Sequence, residues 1–123
     1  MKKKLGTLFT LTMALALTLG LTACGTDPID LPDDAVLIDV RTPSEFADGH
    51  LEGAINIDIQ SAGFTDQISQ LPTDGTYFVY CRSGNRSATA VRQMEQLGFT
   101  SLTDGGGVGA ASQSTGIPVV QGP

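Results

Sequence analysis

Two kinds of apolar run follow one another along this chain. Val36-Leu37-Ile38-Asp39-Val40 is β-branched, nearly continuous and without alternation, the pattern of a strand covered on both faces. Tyr77-Phe78-Val79-Tyr80 reads the same way, and Gly75 turns the chain into it. Ile55-Asn56-Ile57 predicts a brief strand between them, and Leu102 a last short one. Elsewhere the apolar positions recur at helical spacing. Phe64, Ile68 and Leu71 fall on one helix face ahead of Pro72; Ala88, Val91, Met94 and Leu97 do so from about Asn85, with Gly98 placed as the C-cap. Directly after the first strand, Thr42-Pro43-Ser44-Glu45 supplies a hydroxyl cap, a proline at the first helical position and a glutamate three residues past the cap. This capping box predicts a short helix ending near Gly49.

Strands alternating with helices at these lengths predict an α/β domain: a small, mostly parallel central sheet flanked by helices. Ligands of such sheets gather at the carboxyl ends of the strands. That rule brings Asp39 and Arg41, Asp58 and Cys81 toward one crevice. Seven glycines between residues 98 and 123 predict a loop-like C-terminal segment.

The first residues read as an address. Lys2 to Lys4 precede an apolar run from Leu5 to Leu21, closed by Leu21-Thr22-Ala23-Cys24, which predicts a signal peptide over residues 1–23. As a transmembrane helix the run is short for a hydrocarbon core of roughly 30 Å, and no cationic stop follows it. "LTAC" resembles the bacterial lipobox, which implies cleavage before Cys24, acylation of its sulfur and anchoring to the outer face of the cell membrane; an ordinary signal cleaved after Ala23 is the alternative. Residues 24–34, with Pro28, Pro32 and four aspartates, read as an anchor and a stiff, acidic, disordered tether, leaving residues 35–123 as one domain.

Charge narrows the function. The 123 residues carry 7 Lys+Arg against 13 Asp+Glu. Without residues 1–23, four arginines face all 13 acids, a formal charge of −9, which argues against a nucleic-acid partner. Two cysteines make neither a disulfide framework nor a thiolate-rich zinc site. With Cys24 acylated, Cys81 is a lone thiol in an oxidising compartment, which calls for a chemical role.

The residues after Cys81 supply one. Arg82-Ser83-Gly84-Asn85-Arg86-Ser87 is a polar loop running into a helix start. Successive N–H groups in such a turn form an anion-binding nest, and the helix dipole points its positive end the same way. A cysteine there, beside arginines, titrates well below about 8.5. Arg82 and Arg86 can fork onto an oxyanion, with pairing of Arg86 to Asp39 as the alternative. Ser83 and Ser87 read as loop and helix caps, and Gly84 as the residue that allows an unusual backbone conformation.

"CRSGNRS" at Cys81–Ser87, preceded by "IDVRTPSEFADGHLEGAINI" at Ile38–Ile57, resembles the rhodanese-homology domain of the single-domain sulfurtransferase type. The likeness extends from about Ala35 to Val120. It implies that Cys81 takes the outer sulfur of thiosulfate or a similar donor, holds it as a persulfide, and passes it to cyanide or a thiol, with no metal or organic cofactor. It also implies a supporting role for Asp39 and Arg41 and a structural one for His50. Phosphatases of related fold place five residues between Cys and Arg, whereas Cys81 and Arg86 have four between them. The family often follows its late double glycine with Trp; here Gly105-Gly106-Gly107 leads into Val108, predicting looser packing near the pocket. The alternative class is a persulfide relay or redox sensor that does not turn over thiosulfate.

The acidic chain should repel a dianionic donor at distance. The second-order rate with thiosulfate is therefore expected to rise with added salt, unless the arginine loop focuses the local field; a stopped-flow series over ionic strength in which the rate falls steeply overturns this.

Overall fold

A computed structural model describes residues 27–123; the expected signal peptide over residues 1–23 and Cys24 lie outside them. The elements in chain order are β1 (Val36–Asp39), α1 (Pro43–Asp48), β2 (His50–Leu51), β3 (Ile55–Asn56), α2 (Phe64–Ser69), β4 (Thr76–Cys81), α3 (Asn85–Gln96), β5 (Ser101–Gly107), α4 (Val108–Thr115) and β6 (Val119–Val120). Four strands form one sheet in the order β3-β1-β4-β5, all neighbours parallel. β1 and β4 are interior, in register from Val36 opposite Tyr77 to Asp39 opposite Tyr80.

An interior parallel strand is covered on both faces, which is why β1 and β4 are nearly continuous in apolar residues. Successive side chains alternate between two cores. Ile38, Val40, Tyr77, Val79 and Cys81 face Phe64 and Ile68 of α2 and Ala90 and Met94 of α3. Leu37, Phe78 and Tyr80 face Leu51 and Ala111 of α4. The parity of β4 thus points Cys81 toward the α3 side. The α/β class and mostly parallel sheet agree with the sequence pattern. The capping box is present in both halves, Glu45 N–H donating to Thr42 Oγ1 at 3.3 Å and Thr42 N–H to Glu45 Oε2 at 3.0 Å. α3 closes at Leu97 as C-cap, and Gly98 follows with φ of 95°.

The C-terminal segment differs from expectation. It is ordered structure: β5 is seven residues long, α4 buries Ala111 and Ser114, and β6 pairs antiparallel with β2. The glycines that suppress local propensity here satisfy close packing instead. A Cβ on Gly105 would run into the Phe78 ring, and one on Gly107 would lie 2.5 Å from the Arg82 carbonyl oxygen. β5 therefore presses on β4 and on the loop after it, whereas Val108 is half-buried and lines a cavity. The acidic stretch expected to be a disordered tether is also attached. Ile29 N–H donates to Ser114 O at 2.7 Å, and Ile29 and Leu31 pack against the α4-side core. Among the described residues no helix is long and apolar enough to cross a membrane.

Gly107→Ala is expected to destabilise the domain by about 1–3 kcal/mol, because its Cβ meets backbone that cannot turn aside. Gly109→Ala, with nothing within 4 Å of its Cβ, should be neutral or stabilising by up to about 1 kcal/mol. Urea unfolding of the two variants checks the contrast.

Candidate active site

Cys81 is the last residue of β4, and none of its surface is exposed. The chain must reverse within Arg82-Ser83-Gly84 to start α3 at Asn85. Gly84 does this with φ of 97°, a left-handed conformation that side chains resist. The turn aims the Gly84 N–H at Cys81 Sγ, 2.9 Å away, and Ser87 Oγ lies 3.5 Å from the same sulfur. Burial pushes the thiol up. The Ser87 hydroxyl and the backbone N–H groups of Ser87, Gly84 and Ser83 outweigh that cost and hold Cys81 below its ordinary value. The start of α3 adds its positive dipole end, with no acidic residue in its first turn to cancel it. The nest read from the loop sequence is thus present, although the thiol sits beneath it and has no exposed surface.

The arginines divide their work in a way local spacing does not reveal. Arg86 pairs with Glu45 and not with Asp39: Nη1 and Nη2 donate to the two Glu45 oxygens at 2.8 Å each. The Arg86 guanidinium, with the Thr42 backbone and hydroxyl, holds Glu45 down at about 2. Glu45 therefore closes the first turn of α1 and fastens the catalytic-side helix to it. Nothing near it in sequence signals the second task, since Arg86 is 41 residues away.

Asp39 and Arg41 form a buried brace. Arg41 Nε and Nη2 fork onto the Asp39 carboxylate, at 2.6 Å for the shorter ion pair, and Nη2 also donates to Gly49 O. Burial alone would lower Arg41, and the Asp39 carboxylate more than offsets it. The guanidinium lies 5.9 Å from the Tyr80 ring centroid, and the Tyr80 hydroxyl accepts from Leu51 N–H. Asp39 thus faces Arg41 and not the thiol. Asp58 accepts from Gln60 N–H and shapes the turn before α2. His50 stacks on Phe46 at 3.6 Å with Nδ1 against Phe46 O, a structural placement.

Arg82 is exposed, and among the described residues its guanidinium has no hydrogen-bond or ion-pair partner. It lines a cavity of about 370 Å³ together with Arg41, Glu45, Asp48 and Val108. A cavity of about 380 Å³ at Thr65, Gln93, Gln96 and Leu97 carries no charged group. Ser83 on the loop and Asn85 at the start of α3 are exposed. Gly84, not a serine, is the N-cap of α3. Ser87 is buried and lies 2.7 Å from Asp104 Oδ1, a residue that sequence reasoning passed over. Its only signal was an acid directly before three glycines. Among the described residues no group of three His, Cys, Asp or Glu side chains is placed to hold a metal ion.

A thiol at the carboxyl end of an interior parallel strand, under N–H groups of a five-residue approach to Arg86, is an arrangement with known counterparts. The rhodanese-like domain family model matches residues 27–109. A sulfurtransferase of Allochromatium vinosum is 32% identical over 88 residues, 72% of this chain and 80% of that protein. The thiosulfate sulfurtransferase PspE of Escherichia coli is 31% identical over 71 residues, 58% of this chain and 68% of that one. A solved structure, a rhodanese with anions from E. coli, superposes with a TM-score of 0.60 at 28% identity, covering 72% of this chain and 99% of the other. With most of the described domain inside the family match and the sheet superposing on a rhodanese, the chain belongs to the rhodanese-like domain family.

Proposed function

We propose that the protein is a sulfurtransferase that moves sulfane sulfur from thiosulfate or a similar donor to a thiophilic acceptor through a persulfide on Cys81. The observation that carries this reading is the Cys81 sulfur held at 2.9 Å by the Gly84 N–H, in a chain whose relatives are named sulfurtransferases. The thiolate attacks the outer sulfur of thiosulfate; a bond forms to Sγ, the sulfur–sulfur bond of the donor breaks, and its electron pair leaves on sulfite. Cyanide or a thiolate then attacks the outer persulfide sulfur and returns a pair to Sγ. The loop N–H groups receive the charge at each stage, and no proton acceptor is needed once the thiolate stands ready.

In this reading the loop Arg82–Ser87 binds the donor, with unequal parts. Arg82 is free to meet the anionic end, whereas Arg86 is forked onto Glu45 and holds the loop in place. Asp39 and Arg41 support the site from below. The buried thiol favours turnover with a small donor over a sensor that must meet large oxidised partners. The N-terminal pattern extends the proposal: Cys24 would carry lipid and hold the domain at the outer face of the cell membrane.

Residues 25–123, purified reduced, are expected to form thiocyanate from thiosulfate and cyanide, and Cys81→Ser to form none. No turnover from folded, reduced protein overturns the reading and leaves a persulfide relay. Arg82→Ala is expected to lower kcat/KM for thiosulfate roughly tenfold to hundredfold, the loss of a charge-assisted contact, while the circular dichroism stays unchanged. Because the thiolate is the attacking form and Cys81 titrates below its ordinary value, the sulfite-release rate should reach half its plateau below pH of about 8.5 and fall as pH drops further.

A further inference from the structure

Ser87 has one hydroxyl proton and two acceptors in reach, Asp104 Oδ1 at 2.7 Å and Gly84 O at 3.1 Å, while its oxygen accepts from the Cys81 thiol at 3.5 Å; as a thiolate the sulfur becomes a third acceptor. A hydroxyl donates once and can accept twice. The shortest contact, to a carboxylate, is the strongest of the three. When the proton goes there, the oxygen presents only lone pairs to the sulfur, and it can accept from a thiol but offers nothing to a thiolate. Asp104 is fixed for this task. It is the fourth residue of β5, and its Oδ1 also accepts from Gly106 N–H at 3.0 Å.

We propose that Asp104 is a positioning residue for Cys81: it takes the single proton of the Ser87 hydroxyl, turns the oxygen lone pairs of Ser87 toward the sulfur, and so restrains the ionisation that the loop N–H groups favour. This deepens, and rests on, the reading of Cys81 as the sulfur-carrying residue. A thiolate gains the Ser87 hydroxyl, beyond the loop N–H groups, only when Ser87 turns its proton from Asp104 to Sγ, so the competition between these acceptors adjusts how much of the nucleophile is present. The loop N–H groups pull toward the thiolate, and Asp104 pulls against them through Ser87.

The other charged groups around the sulfur are paired or remote from that proton. Arg86 of α3 is bound to Glu45 of α1, Asp39 of β1 is bound to Arg41, and Arg82 on the loop is exposed to solvent. None of them accepts from Ser87. Asp104 is also the one acid whose side chain reaches a group touching Sγ among the described residues.

The test titrates Cys81 by its ultraviolet thiolate absorbance and by iodoacetamide alkylation in the full chain carrying Cys24→Ser, so that one thiol reports. Asp104→Ala should lower the titration midpoint by about one unit. One unit gives tenfold more thiolate below the midpoint, offset by its weaker nucleophilicity, so alkylation at acidic pH should rise about threefold. In a Ser87→Ala background the same change should move neither readout. An equal shift in both backgrounds means that the Asp104 charge acts directly on the sulfur, which overturns the route through Ser87; no shift in either overturns the proposal outright. Should Asp104→Ala fail to fold because Gly106 loses its acceptor, Asp104→Asn keeps an oxygen for Gly106 and is expected to give a smaller downward shift that again needs Ser87. Absence of that shift is equally fatal. These readouts need no sulfur donor. A failure of thiosulfate turnover with the titration result intact would therefore overturn the sulfurtransferase reading alone.

Discussion

A sulfur atom with no exposed surface has to be received by hydrogen-bond donors, and the 2.9 Å contact from Gly84 N–H to Cys81 Sγ is where that requirement is met. The contact needs Cys81 at the end of an interior strand, a left-handed residue three positions on, and a helix starting immediately after. It also needs room for the turn. β5 supplies that room by having no side chain at Gly105 or Gly107, where Cβ atoms would strike Phe78 and the Arg82 carbonyl. Strand order, the glycine-rich approach of β5 and the loop conformation are thus consequences of one small geometric demand.

The charges serve the same demand more than they serve attraction. Two of the three arginines around the site are bound to carboxylates, Arg41 to Asp39 and Arg86 to Glu45. One pair is buried and ties β1 to the segment following α1. The other lies at the surface and ties α3 to α1. A permanently charged, planar group that can satisfy two oxygens at once is well suited to such bracing, since a lysine would hold either carboxylate by a single point. What remains for an incoming anion is Arg82 and the backbone.

Much of this was legible in local sequence. The continuous apolar runs of β1 and β4, the capping box at Thr42–Glu45 and the loop from Cys81 to Ser87 each announce themselves within a few residues, because they are governed by short-range sterics and hydrogen bonding. The remainder depends on partners far away in the chain. Glycine at 105 and 107 lowers both strand and helix propensity, and only the Phe78 ring and the Arg82 carbonyl explain it. Arg86 gives no hint of choosing Glu45 over Asp39. The two-residue strands β2 and β6 are too short for any period, and exist because they pair with each other and because Tyr80 holds Leu51 from the sheet. Ile29 and Leu31 sit in an acidic, proline-bearing stretch whose composition reads as unstructured, yet they find an apolar surface that α4 completes.

The depth of the Cys81 sulfur also gives the proposed cycle a direction. An added sulfur atom would extend the side chain by a bond of about 2 Å. The empty residue is recessed and presents no surface to another protein's thiol, whereas in the proposed cycle the loaded one would carry its terminal atom farther from the buried Sγ. An acceptor would therefore meet the cargo and not the carrier. Recession of this kind shields the thiol from forming unwanted mixed disulfides without any need to lower its reactivity, and in the proposed cycle it would leave the transferable sulfur more accessible than the sulfur that carries it.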